Sequence, residues 1–243
     1  MIETHPAGKC RRQSRGVMSG REKTVMSWSG GKDSALALRL LLEQDDREIV
    51  SLLTTVTGDY DRIAMHGVRR SLLEAQAAAL GLPLKVVILP ARCDDMTYRA
   101  VMAGAMREVL EQGVTAVAFG DIHLEDVRRY REDNLRPLGI DTLFPLWGKS
   151  AGELARLFLQ GKYRAVVTCV DTENLDGVFC GRDIDENFLN SLPPGADPFG
   201  EKGEYHSFVY DGPLFRNPVP FVRGKTVLRD GRFLYCDLQS PED

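Results

Sequence analysis

The chain has 243 residues, of which 43% are hydrophobic, and its formal net charge is −4 at pH 7. This length and composition exclude a wholly disordered protein and predict one large domain with a smaller appendage. The weakly acidic net charge predicts no extended basic surface, so we do not expect nucleic acid as a partner. The five cysteines are scattered without a Cys-x-x-Cys pair, which argues against a zinc ribbon or a disulfide scaffold and favours a reducing cytoplasm.

Residues 1–22 are predicted to form a disordered leader. The segment is rich in Lys and Arg and lacks the apolar core of a secretory signal. Its basic residues leave open a second interpretation, a short phosphate-binding arm. No stretch of the chain approaches the ~20 apolar residues that cross a bilayer, so we expect no membrane partner.

The first predicted elements are a strand at residues 24–28, a loop at 29–34 and a helix at 35–42. Further apolar, β-rich runs follow at residues 49–56, 84–89, 115–119 and 164–170. These runs are continuous rather than alternating, which is typical of parallel strands covered by helices on both faces. The sequence therefore predicts an α/β fold with a doubly wound parallel sheet.

The segments between these strands have helical spacing and recognisable ends. One helix is predicted within residues 67–81 and stops at Gly81, and a second, within residues 95–112, ends before Gly113. Ser150 and Glu153 have the spacing of a capping box that opens a third helix.

Ligands of doubly wound sheets lie outside the carboxyl ends of the strands. This rule predicts that residues 55–60, 120–121 and 171–172 lie near one crevice with the loop at residues 29–34. The residue composition changes after residue 187, where Pro and Gly become frequent. We therefore predict a main domain at residues 23–187 and a smaller lobe at 188–243.

The smaller lobe contains a hairpin signal. Two β-like runs, residues 220–228 and 232–238, flank the pair Asp230-Gly231. We expect them to pair as an antiparallel hairpin.

The run Ser29-Gly30-Gly31-Lys32-Asp33-Ser34 lies between the first strand and the first helix. Its glycines allow close backbone approach, and a helix start presents free N–H groups to an anion. The run is not a Walker A loop, because Met26 and Asp33 stand where that motif needs a glycine and a Ser or Thr. It resembles the pyrophosphate loop of the N-type ATP pyrophosphatases, which split ATP between its α and β phosphates.

A second cluster, the run Gly-Glu-Tyr-His-Ser-Phe-Val-Tyr-Asp-Gly-Pro at residues 203–213, makes the resemblance more specific. With the loop, Phe119-Gly120-Asp121, Tyr130-Arg131-Glu132 and residues 144–147, it resembles the diphthine–ammonia ligase family from about residue 23 to residue 215. The stretch at residues 119–126 and the compact length are similar to a bacterial branch of that family. The resemblance implies that a substrate carboxylate is adenylylated and that ammonia then displaces AMP.

The resemblance also implies roles for single residues. Asp33 would hold Mg²⁺, and Asp121 and Glu204 would orient an amine or ammonium group. The implied catalytic residues are Lys32 and Asp33; the ATP-binding residues are Ser29, Gly30, Gly31, Lys32, Asp33, Ser34, Thr55 and His66; and the substrate-binding residues are Gly120, Asp121, Arg131, Glu132, Gly203, Glu204 and His206. The implied partners are ATP, Mg²⁺, ammonia and a carboxylate on a small molecule or a protein.

Several of these residues also have structural interpretations. Asp33 could cap the helix, His66 and His206 could make ordinary local hydrogen bonds, and Trp147 could belong to the core. Two other functions stay open as well. One is a pyrophosphate-loop enzyme that modifies tRNA, and the other is a regulatory module that binds ATP without turnover.

Overall fold

The computed structural model describes residues 21–63 and 66–241. The predicted leader at residues 1–22 lies outside the described residues, apart from Arg21 and Glu22, and Glu22 already begins the first strand. The strands are β1 (Glu22–Ser27), β2 (Arg47–Thr57), β3 (Leu84–Leu89), β4 (Ala116–Ala118), β5 (Asp141–Leu143), β6 (Arg164–Asp171), β7 (Tyr205–Asp211), β8 (Val222–Arg229) and β9 (Phe233–Gln239). The α-helices are α1 (Lys32–Glu43), α2 (Arg70–Leu80), α3 (Asp95–Glu111), α4 (Glu125–Leu135), α5 (Ala151–Gln160) and α6 (Glu186–Ser191).

The first five strands form a parallel sheet in the order β3-β2-β1-β4-β5. Neighbouring residues of one strand point to opposite faces, so Val25 and Met26 of β1 belong to two different hydrophobic clusters. The cluster around Met26 includes buried leucines of α1 and α2, and the cluster around Val25 includes Met106 of α3 and Leu135 of α4. Helices therefore cover both faces, which confirms the doubly wound α/β fold.

The remaining strands form a separate antiparallel sheet in the order β7-β6-β9-β8. Residues 164–170, which we predicted as part of the parallel sheet, lie instead at its centre as β6. That prediction was wrong because a continuous apolar run fits any strand buried on both faces, whether its neighbours are parallel or antiparallel. The change of sheet falls between β5 and β6, and the division into units 23–187 and 188–243 stays a prediction.

The predicted helix and hairpin ends are confirmed. Gly81 follows α2 with φ of 70°, and the Ser150 hydroxyl accepts a hydrogen bond from the Glu153 N–H at the start of α5. Strands β8 and β9 form the antiparallel hairpin, with Asp230 and Gly231 at φ of 51° and 65°. Both turn residues thus occupy the left-handed region that an Asp-Gly pair favours.

The second sheet is joined to the first at the start of α1. The Val209 N–H of β7 donates to the Gly30 carbonyl at 2.9 Å, and the Lys32 N–H donates to the Ser207 hydroxyl at 3.2 Å. Strand β7 therefore supports the loop between β1 and α1 from behind. Among the described residues, no helix has the length and hydropathy needed to cross a membrane.

Candidate active site

The loop between β1 and α1 has the form of an anion-binding turn. Gly30 has φ of 77°, and a Cβ there would lie 2.7 Å from Gln76 Oε1 and 2.8 Å from Leu73 Cδ2. Gly31 is extended and serves as the N-cap of α1 without a capping side chain. The Lys32 N–H is bonded to the Ser207 hydroxyl, but the N-cap itself offers no side chain to the N–H groups that follow. The positive end of the helix dipole lies beside them.

Gln76 holds this loop in place, a role that the sequence analysis missed. Its Nε2 donates to the Gly30 carbonyl at 2.9 Å and to the Val209 carbonyl at 2.5 Å, while its Oε1 accepts from Trp28 Nε1 at 2.9 Å. Gln76 is completely buried. Its side chain therefore joins β1, α2 and β7 directly behind the loop.

The loop after β4 approaches the same helix start. A Cβ on Gly120 would lie 3.0 Å from the carbonyl carbon of Asp33 and 3.1 Å from the Ser34 nitrogen, both backbone atoms. The strand order reverses between β1 and β4, so this is the topological switch point at which such sheets bind ligands. A side chain at this position would therefore press on the backbone of α1.

Lys32 is the first residue of α1 and is only 2% exposed. Its Nζ lies 3.0 Å from Asp33 Oδ2, 4.8 Å from the ring centre of Phe199 and 5.2 Å from that of Tyr205. The structure shows a buried cation between a carboxylate and two aromatic faces.

Asp33 does not cap the helix, since the N-cap is Gly31 and Asp33 already lies inside α1. Burial raises the pKa of Asp33, and the charge of Lys32 opposes that rise. Within the described residues, Oδ1 of Asp33 is buried and has no hydrogen-bond partner. This orphaned oxygen fits a role as a ligand of a small hard cation.

A magnesium ion would depend on more than protein side chains here. Across residues 21–63 and 66–241, no three His, Cys, Asp or Glu side chains come close enough together to hold a metal ion. Mg²⁺ is commonly bound by one or two carboxylates together with phosphate oxygens. Asp33 therefore suits an ion that arrives with a nucleotide.

His66 and His206 stand together beside the loop. Their ring centres are 4.6 Å apart, and a Cβ on Gly31 would lie 3.3 Å from His66 Nε2. Burial and the nearby charge of Lys32 lower the pKa of His206 to about 4. His206 is therefore neutral at pH 7 and offers hydrogen bonds rather than a positive charge.

The segment that carries His66 is anchored to the C-terminal hairpin. Arg62 Nη2 and Arg69 Nη2 donate to the two carboxylate oxygens of Asp237 at 2.7 and 2.9 Å. Burial would raise the pKa of Asp237, but these bonds from Arg69 and Arg62 outweigh it and lower the pKa to about 2. Strand β9 thus fixes the approach of His66 to the loop.

On the opposite side, Asp121 follows β4 and forms a two-point ion pair with Arg131 of α4. Arg131 Nε and Nη2 donate to the two oxygens of Asp121 at 2.5 and 3.1 Å, and the guanidinium lies 4.2 Å from the ring centre of Phe119. Glu132, the next residue along α4, instead pairs with Arg128 at 2.8 Å and is not part of the cavity wall.

Glu204, which we predicted to bind the substrate, does not lie at the cavity wall. It is 3% exposed, and its two oxygens accept the Asp197 N–H at 2.9 Å and the Lys202 N–H at 3.0 Å. Its carboxylate therefore shapes the loop at residues 197–204 and does not line the cavity. Glu201, which the sequence analysis did not assign, lines the cavity together with Gly203.

Lys32, Asp33, His206 and the Asp121–Arg131 pair line one cavity of about 890 Å³. Asp171, which we expected near it, is instead paired with Arg232 at the hairpin and lies elsewhere. The predicted residues that line the cavity are Ser29, Lys32, Asp33, Ser34, Thr55, His66, Gly120, Asp121, Arg131, Gly203 and His206. The predicted residues Gly30 and Gly31 form the loop behind the cavity wall, and Glu132 and Glu204 lie off it.

A deep apolar part of the cavity was missed by the sequence analysis. It extends between α3 and α4 and is lined by Tyr98, Met102, Met106, Asn134, Leu135 and Leu138. Apolar residues at helical spacing indicate a buried face, but the same pattern fits a filled core and a cavity wall equally well.

Two family comparisons fit this architecture. The model of the diphthamide synthase N-terminal domain matches residues 22–142, and that of the diphthamide synthase C-terminal domain matches residues 151–233. The chain belongs to the diphthamide synthase family. The first match ends within β5, the last strand of the parallel sheet, and the second begins with α5, which precedes the first strand of the antiparallel sheet.

Two individual proteins are also similar to this chain. The human diphthine–ammonia ligase is 25% identical over 214 residues, which cover 79% of each chain. A solved structure, the U34-tRNA thiolase NcsA from Methanococcus maripaludis with its [4Fe-4S] cluster, is 19% identical with a TM-score of 0.35. That match covers 57% of this chain and 55% of the thiolase.

Proposed function

We propose that this protein is an ATP-dependent ligase that adenylylates a substrate carboxylate and transfers ammonia to it, releasing AMP and pyrophosphate. The observation that carries the proposal is the loop at residues 29–34, whose glycine turn, uncapped helix start and buried Lys32 face one large cavity. Family membership and the likeness to the human diphthine–ammonia ligase support the same reaction class. The family match does not favour the tRNA-modifying alternative.

In the first step, a carboxylate oxygen of the substrate attacks the α phosphorus of ATP, and the bond to the bridging oxygen of the β phosphate breaks. The departing pyrophosphate gains negative charge. The N–H groups at the start of α1 and the ammonium of Lys32 are positioned to stabilise that charge, since they are fixed before the reaction begins. Mg²⁺, held by Asp33 and phosphate oxygens, would neutralise further charge on the leaving group.

In the second step, the nitrogen of ammonia attacks the acyl carbon, AMP leaves with the bonding electrons, and a proton is released. Neutral His206 and the Asp121–Arg131 pair line the cavity in which this exchange would occur. The apolar part between α3 and α4 would receive the body of the substrate. Because the proposed reaction activates a carboxylate, the substrate class is a carboxylic acid, on a small molecule or a protein.

The proposal is tested by incubating the protein with α-labelled ATP, Mg²⁺, ammonium and a carboxylate source, and by separating AMP from ADP. The sources are a small-molecule extract and a diphthine-bearing elongation factor. AMP that depends on both ammonium and the source supports the ligase. ADP would indicate phosphotransfer instead, and ATP binding without AMP from either source would favour the regulatory module.

We also propose a cytoplasmic location. The cysteines in the described part of the chain, Cys93, Cys169, Cys180 and Cys236, are all free. Free thiols are typical of a reducing compartment. Fractionation of cells that express the tagged protein would check this assignment.

A further inference from the structure

Two ion pairs lie beside the loop at residues 29–34. Lys32 pairs with Asp33 at 3.0 Å, and Arg131 pairs with Asp121. Glu201 lines the same cavity, but its carboxylate makes no hydrogen bond or ion pair with any part of the chain that the structure describes. The Glu201 carboxyl group at the cavity wall is thus left without a bonded partner.

The loop that carries Glu201 is held firmly. Glu204 accepts the N–H groups of Asp197 and Lys202, and the Gly203 N–H donates to the Gly200 carbonyl at 3.1 Å. Gly200 and Gly203 have φ of 65° and 84°, which fixes two sharp changes of direction around Glu201. Glu201 is therefore presented to the cavity by a preformed turn.

The electrostatic surroundings of Glu201 do not keep its carboxyl group charged at neutral pH. Burial first, and the carboxylate of Asp33 second, raise the pKa of Glu201 to about 8, although the charge of Lys32 opposes the rise. An ordinary ion pair would have the opposite effect and favour the charged form. The position therefore suits a small cation that enters with the substrates.

We propose that Glu201 binds the ammonium ion that supplies nitrogen to the reaction. The inference rests on the proposed function and names the group that recognises the ammonium ion, which gives up one proton, to the Glu201 carboxylate, before its nitrogen attacks the acyl carbon. Ammonium is the prevailing form of ammonia at neutral pH, and its N–H groups donate charge-assisted hydrogen bonds to a carboxylate. A divalent metal shared with Asp33, whose charge acts on Glu201, is the competing occupant, and the first test below separates the two.

The family resemblance implied this role for Glu204 and Asp121, but the structure favours a different residue. Both oxygens of Glu204 are occupied by backbone N–H groups, and both oxygens of Asp121 are occupied by Arg131. Only Glu201 among these three carboxylates is both open to the cavity and unpaired within the described residues.

The first test measures ammonium binding without the unknown carboxylate. The protein is loaded with Mg²⁺ and α,β-methylene ATP, and its Tm is followed as ammonium chloride replaces sodium chloride at constant ionic strength. At about ten times the dissociation constant, ammonium should raise the wild-type Tm by about 3–5 °C. Glu201→Gln should lose this rise, and Glu48→Gln, at an exposed position on β2, should keep it.

The outcomes separate the two proposals. A nucleotide-dependent rise in Tm with no further rise from ammonium overturns the ammonium site and leaves the nucleotide site standing. The absence of any nucleotide-dependent rise contradicts the proposed function itself. A Glu201→Gln protein that responds normally to ammonium but needs more Mg²⁺ would make Glu201 a metal ligand, which also overturns the inference.

A second test uses the AMP-forming assay with two nucleophiles. Hydroxylamine is neutral at pH 7, so it does not need a carboxylate to balance its charge. Glu201→Gln should raise the KM for ammonium by about tenfold or more, the loss expected for one charge-assisted hydrogen bond, and change the KM for hydroxylamine by less than about twofold. Equal losses with both nucleophiles would assign Glu201 to the shape of the site instead.

Discussion

Two loops bound the cavity, and they are held in shape by different means. The loop at residues 29–34 depends on glycine backbone geometry, the start of α1 and the buried amide of Gln76. The loop at residues 197–204 depends on one buried carboxylate, Glu204, which accepts two backbone N–H groups. The first loop offers N–H donors and Lys32 to an anion, and the second offers Glu201 to a cation.

This difference between the loops explains how one cavity can bind an anionic nucleotide and a cation together. A triphosphate placed at the first loop disfavours the charged form of Glu201 at the second loop unless a cation lies between them. The second loop is therefore best understood as the side from which positive charge is supplied. Substitutions that damage one loop and spare the other separate the two contributions.

The largest effect is expected from Lys32→Ala, which removes the cation of the first loop. AMP-forming turnover should fall by about 10²- to 10³-fold, the usual loss when one preorganised stabilising group is removed. The protein should also lose stability, because Asp33 is left without its partner at a buried site. Labelled-ATP turnover and urea unfolding measure the two effects. Lys225→Ala, at an exposed position on β8, is the control, and wild-type turnover in Lys32→Ala would remove the loop from the site.

Glu204→Gln should break the second loop while the first stays intact. The amide oxygen can accept one N–H group, but the amide NH₂ faces the other donor, so a buried bond is lost. The free energy of unfolding should fall by about 1–3 kcal/mol. Urea unfolding measures this loss, with the exposed Glu48→Gln as the matched control. An unchanged stability, together with lost turnover, would return Glu204 to the direct substrate role that its sequence context implied.

Gly120→Ala tests the contact between the loop after β4 and the start of α1. The new methyl group would press on backbone atoms of Asp33 and Ser34, which cannot rotate away. The nucleotide affinity should fall roughly tenfold, as expected for overpacking at a rigid contact. Gly104→Ala in the middle of α3 meets no atom within 4 Å and should instead raise the stability by about 0.5–1 kcal/mol. Nucleotide titration of both variants would show whether the affinity depends on the position or merely on the loss of a glycine.

The sequence predicted the first loop well, because strand, glycine turn and helix follow one another within about twenty residues. The second loop could not be predicted in the same way. Glu201 and Glu204 are three residues apart, and only the three-dimensional path of the chain shows which one is used by backbone N–H groups. The assignment of β6 failed for a related reason, since the partner strands β7 and β9 are distant in sequence and set its direction.

The smallest effect concerns the pH dependence of the unliganded protein. Between the ordinary Glu pKa of 4.5 and the raised value of about 8, the folded protein keeps a proton on Glu201 that the unfolded chain has released. The free energy of unfolding should therefore fall as the pH rises through this window, because the folded state binds more protons. Glu201→Gln has no such proton, so its pH profile should be flatter and it should be the more stable protein above the window.

Urea unfolding of both proteins at several pH values across the window measures this difference. The contribution of His206 has the opposite sign: its pKa is lowered to about 4, so the stability that it adds is lost as the pH falls. Because His206 is present in both proteins, its effect cancels in the comparison. Parallel pH profiles would mean that Glu201 is already charged without a ligand, so that a cation would find its partner ionised and would release no proton on binding.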